Sequence, residues 1–293
     1  MKEFIVAGAQ IAIEPNKPLE NTQKVIQWIE KAVEFCSPQL IVFPETITTG
    51  FNTGLGREEL WDLVDTIPGK YTDMVVQAAK KHGVYVSFPT YERGEKRGDV
   101  YNAAPLIAPD GSIAGCYRKT HLFPPEKGWC SPGSMVEIVE TPFAKIGTII
   151  CFDGDYPELS RLLAMQGAEV ILRPSALLRS FDIWDLTTRA RAYDNHVYMV
   201  AVNAVGTDAN KTYYFGNSMI VSPIAQHLAL ATAAECIVWA KLNPDPLRYV
   251  SYGCSTPMVF HHMEDRNIDA YRGILEMSPP QFPKFETNKR GNL

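Results

Sequence analysis

The chain reads as an α/β protein, a four-layer αββα sandwich built from two similar halves. Three observations predict this. Apolar runs of four to eight residues alternate with stretches of helical periodicity, the pattern of an α/β fold. The same order of strands and helices runs twice along the 293 residues. Two similar sheets with helices on one side only would each leave a bare apolar face, and packing those faces together buries both.

The elements follow in chain order. Phe4 to Ile13 alternates as a first strand, and Pro18 to Phe35 is a helix whose Leu19, Val25, Ile26, Ile29 and Val33 form an apolar face of 3.6-residue period. Ser37 to Glu45 holds a second strand closed by Pro44. A helix over Tyr71 to His82 leads to a third strand in Gly83 to Pro89. The half ends in a hairpin, Asn102 to Tyr117, around the turn sequence Pro109-Asp110-Gly111. The second half repeats the plan: a strand in Ala144 to Phe152, a helix in Tyr156 to Gln166, and a strand in Gly167 to Ser175 with Pro174 near its end. A helix in Ile183 to Asn195, a strand in Asn195 to Ala201 and a hairpin from Gly216 to Leu230 complete it. Residues 1–277 form one domain in this reading. Residues 278–293 carry Pro279, Pro280 and Pro283 with Phe282 and Phe285, which suits neither a helix nor a central strand. This tail reads either as a loose end or as an arm laid across a partner subunit.

Composition narrows the function. With 46% hydrophobic and 11% aromatic residues the chain can bury a full core. A net charge of −5 without a basic block argues against a nucleic-acid surface, which needs clustered Lys and Arg. No apolar run approaches the roughly 18 residues of a membrane span. The start, Met1 to Gln10, reads as a strand rather than a signal peptide, so a cytoplasmic location is the default expectation. The six cysteines are scattered without CxxC pairs, which fits reduced thiols better than a disulfide frame or a zinc site. No glycine-rich phosphate loop or ligand cluster is present in the sequence, so no metal, nucleotide or flavin is expected.

Three ionisable residues stand where apolar runs stop. Glu45 ends Leu40-Ile41-Val42-Phe43-Pro44, Lys119 follows Ile113 to Arg118, and Cys151 ends Ile146 to Ile150. Catalytic groups in open α/β sheets gather outside the carboxyl ends of strands, and a thiol becomes a nucleophile beside a base or a cation. Phe152 to Glu158 reads as a tight turn into a helix start, which would set Cys151 at an elbow with backbone N–H groups close by to hold an oxyanion. Taken singly, each residue has a plainer reading: a buried structural thiol for Cys151, a loop or helix-cap acid for Glu45, a solvated loop cation for Lys119.

Together, Phe43-Pro44-Glu45-Thr46, Tyr117 to Leu122 and Ile149 to Asp153, in this order, resemble the three signature motifs of the nitrilase superfamily, the carbon–nitrogen hydrolases. The similarity runs over roughly residues 4 to 260 and extends through Tyr156 to Arg161, Gly167 to Ala176 and Arg189 to Asn195. It implies a nitrilase-like αββα fold. It also implies Glu45 as general base, Cys151 as nucleophile, Lys119 as oxyanion stabiliser with the N–H of Phe152 as second donor, and Glu126 as a further acid that positions Lys119 and substrate. His121 is read as a supporting hydrogen-bonding residue. True nitrilases typically show Trp then Glu after the cysteine, where this chain has Phe152 and Asp153. The stretches Glu126 to Gly133 and Asp153 to Glu158 look most like aliphatic amidases and formamidases. They put Trp129, Phe152, Asp153 and Tyr156 in the expected substrate-binding set, with Arg173 at the next strand end.

Hydrolysis of a small linear amide to acid and ammonia is therefore the favoured activity, with N-carbamoyl hydrolysis as the close second. Nitrile hydrolysis and an inactive binding or regulatory homologue rank behind these. Asp153 and Asp155 would repel a carboxylate, which favours a neutral or amine-bearing substrate; Arg173 and Arg179 qualify this, since Arg173 could serve as a carboxylate clamp. The resemblance also implies a homodimer or higher homo-oligomer.

Overall fold

Alternation along the strands decides the layering. In β1 (Phe4–Gln10), Phe4 and Val6 turn to one side, where they meet apolar residues of the other half, while Ala7 and Ala9 turn to the opposite side and meet helical residues. The computed structural model describes residues 1–244, 262–271 and 273–274. The contacts divide the chain into two units, Met1–Val259 and Phe260–Leu293. The boundary at 277 and the tail 278–293 lie outside the described residues. The second unit has a short 3-10 turn at Ile268–Tyr271.

The first half of the chain supplies α1 (Pro18–Cys36), β2 (Leu40–Val42), α2 (Arg57–Leu63), α3 (Lys70–His82), β3 (Tyr85–Ser87), β4 (Thr90–Arg93), β5 (Val100–Ile107) and β6 (Ile113–Arg118). The second supplies β7 (Val139–Glu140), β8 (Lys145–Thr148), α4 (Pro157–Met165), β9 (Val170–Ser175), α5 (Phe181–Asn195) and β10 (Tyr198–Asn203). The hairpin of β11 (Val205–Thr207) and β12 (Tyr213–Phe215) follows, then β13 (Met219–Val221), β14 (His227–Leu230) and β15 (Cys236–Leu242). Helix ends follow local rules. Pro18 opens α1 and Pro157 opens α4, where a missing N–H costs nothing, and Gly83 closes α3 in a left-handed conformation.

The expected duplication is present in the pairing. In one sheet β1, β2 and β3 run parallel and β5 returns antiparallel beside β3, carrying β6 as its hairpin partner. In the other, β8, β9 and β10 run parallel and β13 returns beside β10, carrying β14. The face shared by the sheets is filled by Val6, Leu40 and Val42 from one and Val170, Leu172, Val200 and Val202 from the other. The outer faces bury Ile41 and Val86 under α1 and α3, and Ile171 and Met199 under α4 and α5. The order helix, sheet, sheet, helix follows directly from these alternating sets. Short or irregular elements had no periodic signal: α2 is seven residues long, and β4, β7, β11 and β12 are two to four. β15 is a longer omission. It pairs antiparallel along the whole of β1, covering an edge that would otherwise expose unpaired backbone groups.

Gly8 marks a close approach of the sheets. A Cβ there would stand 2.6 Å from Val202 Cγ2 and 3.0 Å from Val238 Cγ1. Gly8→Val is expected to lower stability by about 1–3 kcal/mol through overpacking, and Gly8→Val with Val202→Ala to lose less than the sum of the single changes. Additive losses in denaturant unfolding would show that this contact is not the constraint.

Candidate active site

Strand ends from both sheets converge on one buried cluster. Glu45 leaves β2 through Phe43, whose N–H donates to Ser87 O at 3.2 Å, and the Glu45 N–H crosses to Ser175 O of β9 at 3.4 Å. Lys119 follows β6 and extends its pairing by donating its backbone N–H to Asn102 O of β5 at 2.8 Å. Glu126 sits in a short 3-10 turn, Pro124–Gly128. All three side chains are fully buried. Lys119 Nζ donates to Glu45 Oε1 at 2.6 Å and to Glu126 Oε2 at 2.8 Å. Asn102 Nδ2 donates to the same pair of acids, at 2.8 Å to Glu45 Oε1 and 2.7 Å to Glu126 Oε1. The backbone N–H of Ala176, just past β9, holds Glu45 Oε2 at 2.8 Å.

Cys151 opens a 3-10 turn, Cys151–Asp155, beyond β8, with φ +47°, the left-handed region. A non-glycine residue held there costs about 1–3 kcal/mol that the surroundings must offset. Asp153 supplies one restraint. Its buried carboxylate accepts from the N–H of Ile150 at 2.9 Å, from Tyr117 Oη at 2.8 Å and from the His121 N–H at 2.9 Å. The turn bearing the thiol is thus tied to the strand end bearing Lys119.

Burial and charge set the protonation states. Burial pulls the Lys119 ammonium towards the neutral form, but Glu126 and Glu45 outweigh it and hold the group charged, its pKa well above the ordinary lysine value. Burial raises the Glu126 carboxyl, against the pull of Lys119. Burial also raises the Cys151 thiol, Glu45 raises it further, and Lys119 and Arg173 oppose them. The balance favours the neutral thiol at Cys151.

A narrow pocket of about 10 Å³ reaches the thiol between Phe51, Phe123 and Phe152, with Ala176, Leu177, Leu178 and Arg179 completing the wall. That is room for about one water molecule. A larger cavity of about 450 Å³ opens at the β6 edge among Tyr101, Cys116 and Met135, and none of Glu45, Lys119, Glu126 or Cys151 lines it.

The carbon–nitrogen hydrolase family model matches residues 5–250. The chain belongs to the carbon–nitrogen hydrolase family. It is 34% identical over 278 residues to a protein of Schizosaccharomyces pombe called a probable nitrilase, covering 92% of this chain and 98% of that one. It is 32% identical over 289 residues to a formamidase of Bacillus cereus, covering 96% and 86%. An amidase from Nesterenkonia sp. has the same fold, with a TM-score of 0.78 at 20% identity over 94% of this chain and 97% of that one. Among the described residues of this hydrolase no helix is long and apolar enough to cross a membrane.

Four sequence-derived substrate contacts of the hydrolase stand elsewhere. Arg173 was expected at a strand end as a carboxylate clamp; it is fully buried, with its donors spent on Cys151 O, Thr187 and Thr188. Asp153 is fully buried and braces the cysteine turn, as described above. Tyr156 stacks on His121 with ring centroids 3.8 Å apart. Trp129 packs edge-on behind Phe51 at 5.8 Å and donates Nε1–H to Tyr91 Oη at 2.9 Å. Phe152 does line the pocket. Asn102 was missed, although a polar residue amid the apolar Val100 to Ile107 run was a usable signal. Ala176 acts through its backbone and left none.

Because the thiol is raised, its alkylation by iodoacetamide is expected to keep accelerating with pH beyond 9, where an ordinary cysteine of pKa about 8.5 has levelled off. A plateau below pH 8, followed by mass spectrometry of the Cys151 peptide, would contradict this.

Proposed function

We propose that this hydrolase converts small neutral linear amides to the acid and ammonia through a covalent acyl group on Cys151. The observation that carries the reading is the Lys119 ammonium held between Glu45 and Glu126 beside the cysteine turn. Glu45 takes the thiol proton as the sulfur adds to the carbonyl carbon. The oxyanion that forms is met by Lys119 Nζ and the Phe152 N–H. Glu45 returns the proton to the departing nitrogen, the C–N bond breaks, and ammonia leaves a thioester. Water then gives a proton to Glu45 and adds to the thioester. Collapse of that adduct breaks the C–S bond, frees the acid and restores the thiol. Glu126 shares Lys119 with Glu45 and so keeps the ammonium aimed during proton transfer.

Pocket chemistry supports the substrate class. Phe51, Phe123, Phe152 and Leu178 make the wall beside the thiol apolar. Its one charged side chain, Arg179, is held by both oxygens of Asp155 at 2.6 and 2.8 Å. Such a bidentate pair leaves little charge for a substrate carboxylate or amine. The Phe152-Asp153 pair after the cysteine favours amides over nitriles. A homodimer is part of the proposal: α4 and α5 expose Leu162, Met165 and Leu186 to 42%, 57% and 67%. Light scattering that gives the mass of one chain would refute it.

Ammonia release from short amides, N-carbamoyl compounds, carboxylate-bearing amides and nitriles tests the reading. Turnover of the short neutral amides, lost in Cys151→Ala, is expected. Faster turnover of N-carbamoyl compounds or nitriles, or activity that survives in Cys151→Ala, would overturn it. On the same panel Asp155→Asn frees Arg179 and is expected to shift preference towards carboxylate-bearing amides by about tenfold, the scale of one charge-assisted hydrogen bond; an unchanged ratio would show that the ion pair does not set specificity.

A further inference from the structure

Arg173 occupies a place where an apolar residue would cost less. It belongs to β9 and points to the helix side of the sheet, packing its guanidinium 4.9 Å from the centre of the Trp184 ring on α5. The opposite side of the group lies against the backbone: a Cβ on Gly154 would stand 2.2 Å from Arg173 Cζ. The charge is wholly buried, and its nearest carboxylate among the described residues, Asp155 Oδ1, stands 3.9 Å away. Burying a cation without a close counter-ion is expensive. Burial lowers the guanidinium pKa to about 10.

Its hydrogen bonds run to the nucleophile. Nε and Nη2 both donate to the carbonyl oxygen of Cys151, at 3.1 and 2.9 Å. Nη1 is anchored from behind by Thr187 Oγ1 at 2.8 Å and Thr188 Oγ1 at 2.9 Å. In a trans peptide the C=O and the next N–H point in opposite directions. Drawing the Cys151 carbonyl down towards Arg173 therefore turns the Phe152 N–H the other way.

We propose that Arg173 is a positioning residue: its two-pronged grip on the Cys151 carbonyl holds the nucleophile in its left-handed conformation and aims the Phe152 N–H as oxyanion donor, while its buried charge favours the thiolate. The inference rests on Cys151 being the nucleophile. The charge balance of the site is consistent with it. Glu45 and Glu126 face the single ammonium of Lys119 in the cluster, and Arg173 brings a second cation from beneath. Asp155 and Arg179 neutralise one another near the mouth. Arg191 donates its Nε–H to Gly154 O at 3.2 Å and opposes the Arg173 charge, and Tyr214, raised by burial and Asp208, stays neutral.

Three variants read on two assays test this. Arg173→Gln is expected to lower kcat on a short amide about 10²-fold, the scale of a lost oxyanion donor, with KM nearly unchanged. It should also slow Cys151 alkylation by iodoacetamide about tenfold across pH 7–9, since each unit of thiol pKa is a factor of ten in thiolate. Arg173→Lys keeps the charge but not the fork, so alkylation recovers while kcat stays low. A folded Arg173→Gln with wild-type kcat and alkylation overturns the inference. Should Arg173→Gln fail to fold, the Thr187→Val, Thr188→Val double variant decides: a several-fold fall in kcat at constant KM supports the assignment, and wild-type kcat overturns it. Turnover that survives in Cys151→Ala would overturn the functional reading as well, whereas an inert Cys151→Ala beside a normal Arg173→Gln removes this inference alone.

Discussion

The ammonium of Lys119, buried between Glu45 and Glu126, is the interaction on which the rest of the structure depends. A cation stripped of water is tolerated only if its partners are close, charged and themselves hydrogen-bonded. Those conditions reach far into the fold. Glu45 must arrive from the end of β2, Lys119 from the end of β6 and Glu126 from a proline-initiated turn. Asn102 must offer both hydrogens of its amide to the two acids, and Ala176 must lend its N–H from the other sheet. Misregister in β2, β5, β6 or β9 would leave a buried charge unpaired, so the network ties fold specificity to the placement of the candidate base.

The cysteine turn depends on that network and adds its own constraints. Cys151 stands in a conformation that side chains seldom adopt, at the end of a strand of the opposite sheet. Asp153 ties the turn to Tyr117 and His121 on one flank, and Arg173 ties its carbonyl to α5 on the other. The raised thiol fits this arrangement. A permanent thiolate beside Glu45 would add a third anion to the buried cluster, which favours the neutral thiol.

Charges around the pocket are largely spent on one another. Asp155 is taken up by Arg179, Asp153 by the cysteine turn, and Arg173 by the Cys151 carbonyl. What remains for a substrate is an aromatic and aliphatic wall around the thiol. Under the proposed reading, pairs already satisfied inside the protein would disfavour a charged ligand by giving it nothing to replace its lost hydration.

Much of this was legible in the chain itself. Alternation and helical period located the repeated strands and helices, because those periods are fixed by backbone geometry and recur over enough residues to be read. The motif residues Glu45, Lys119, Glu126 and Cys151 stand out because each interrupts an apolar or turn pattern, and the structure brings the three charged ones together and sets the thiol beside them. The directions of Arg173, Asp153, Tyr156 and Trp129 were not legible. Each depends on side chains far away in sequence: Thr187 and Thr188 for Arg173, Tyr117 for Asp153, His121 for Tyr156 and Tyr91 for Trp129. Local pattern determined which residues lie at strand ends; only the packing of one sheet on the other, and of α5 on its sheet, decided which of them face the pocket and which are consumed in holding it, because a buried polar group turns towards whatever partner the fold brings within hydrogen-bond reach.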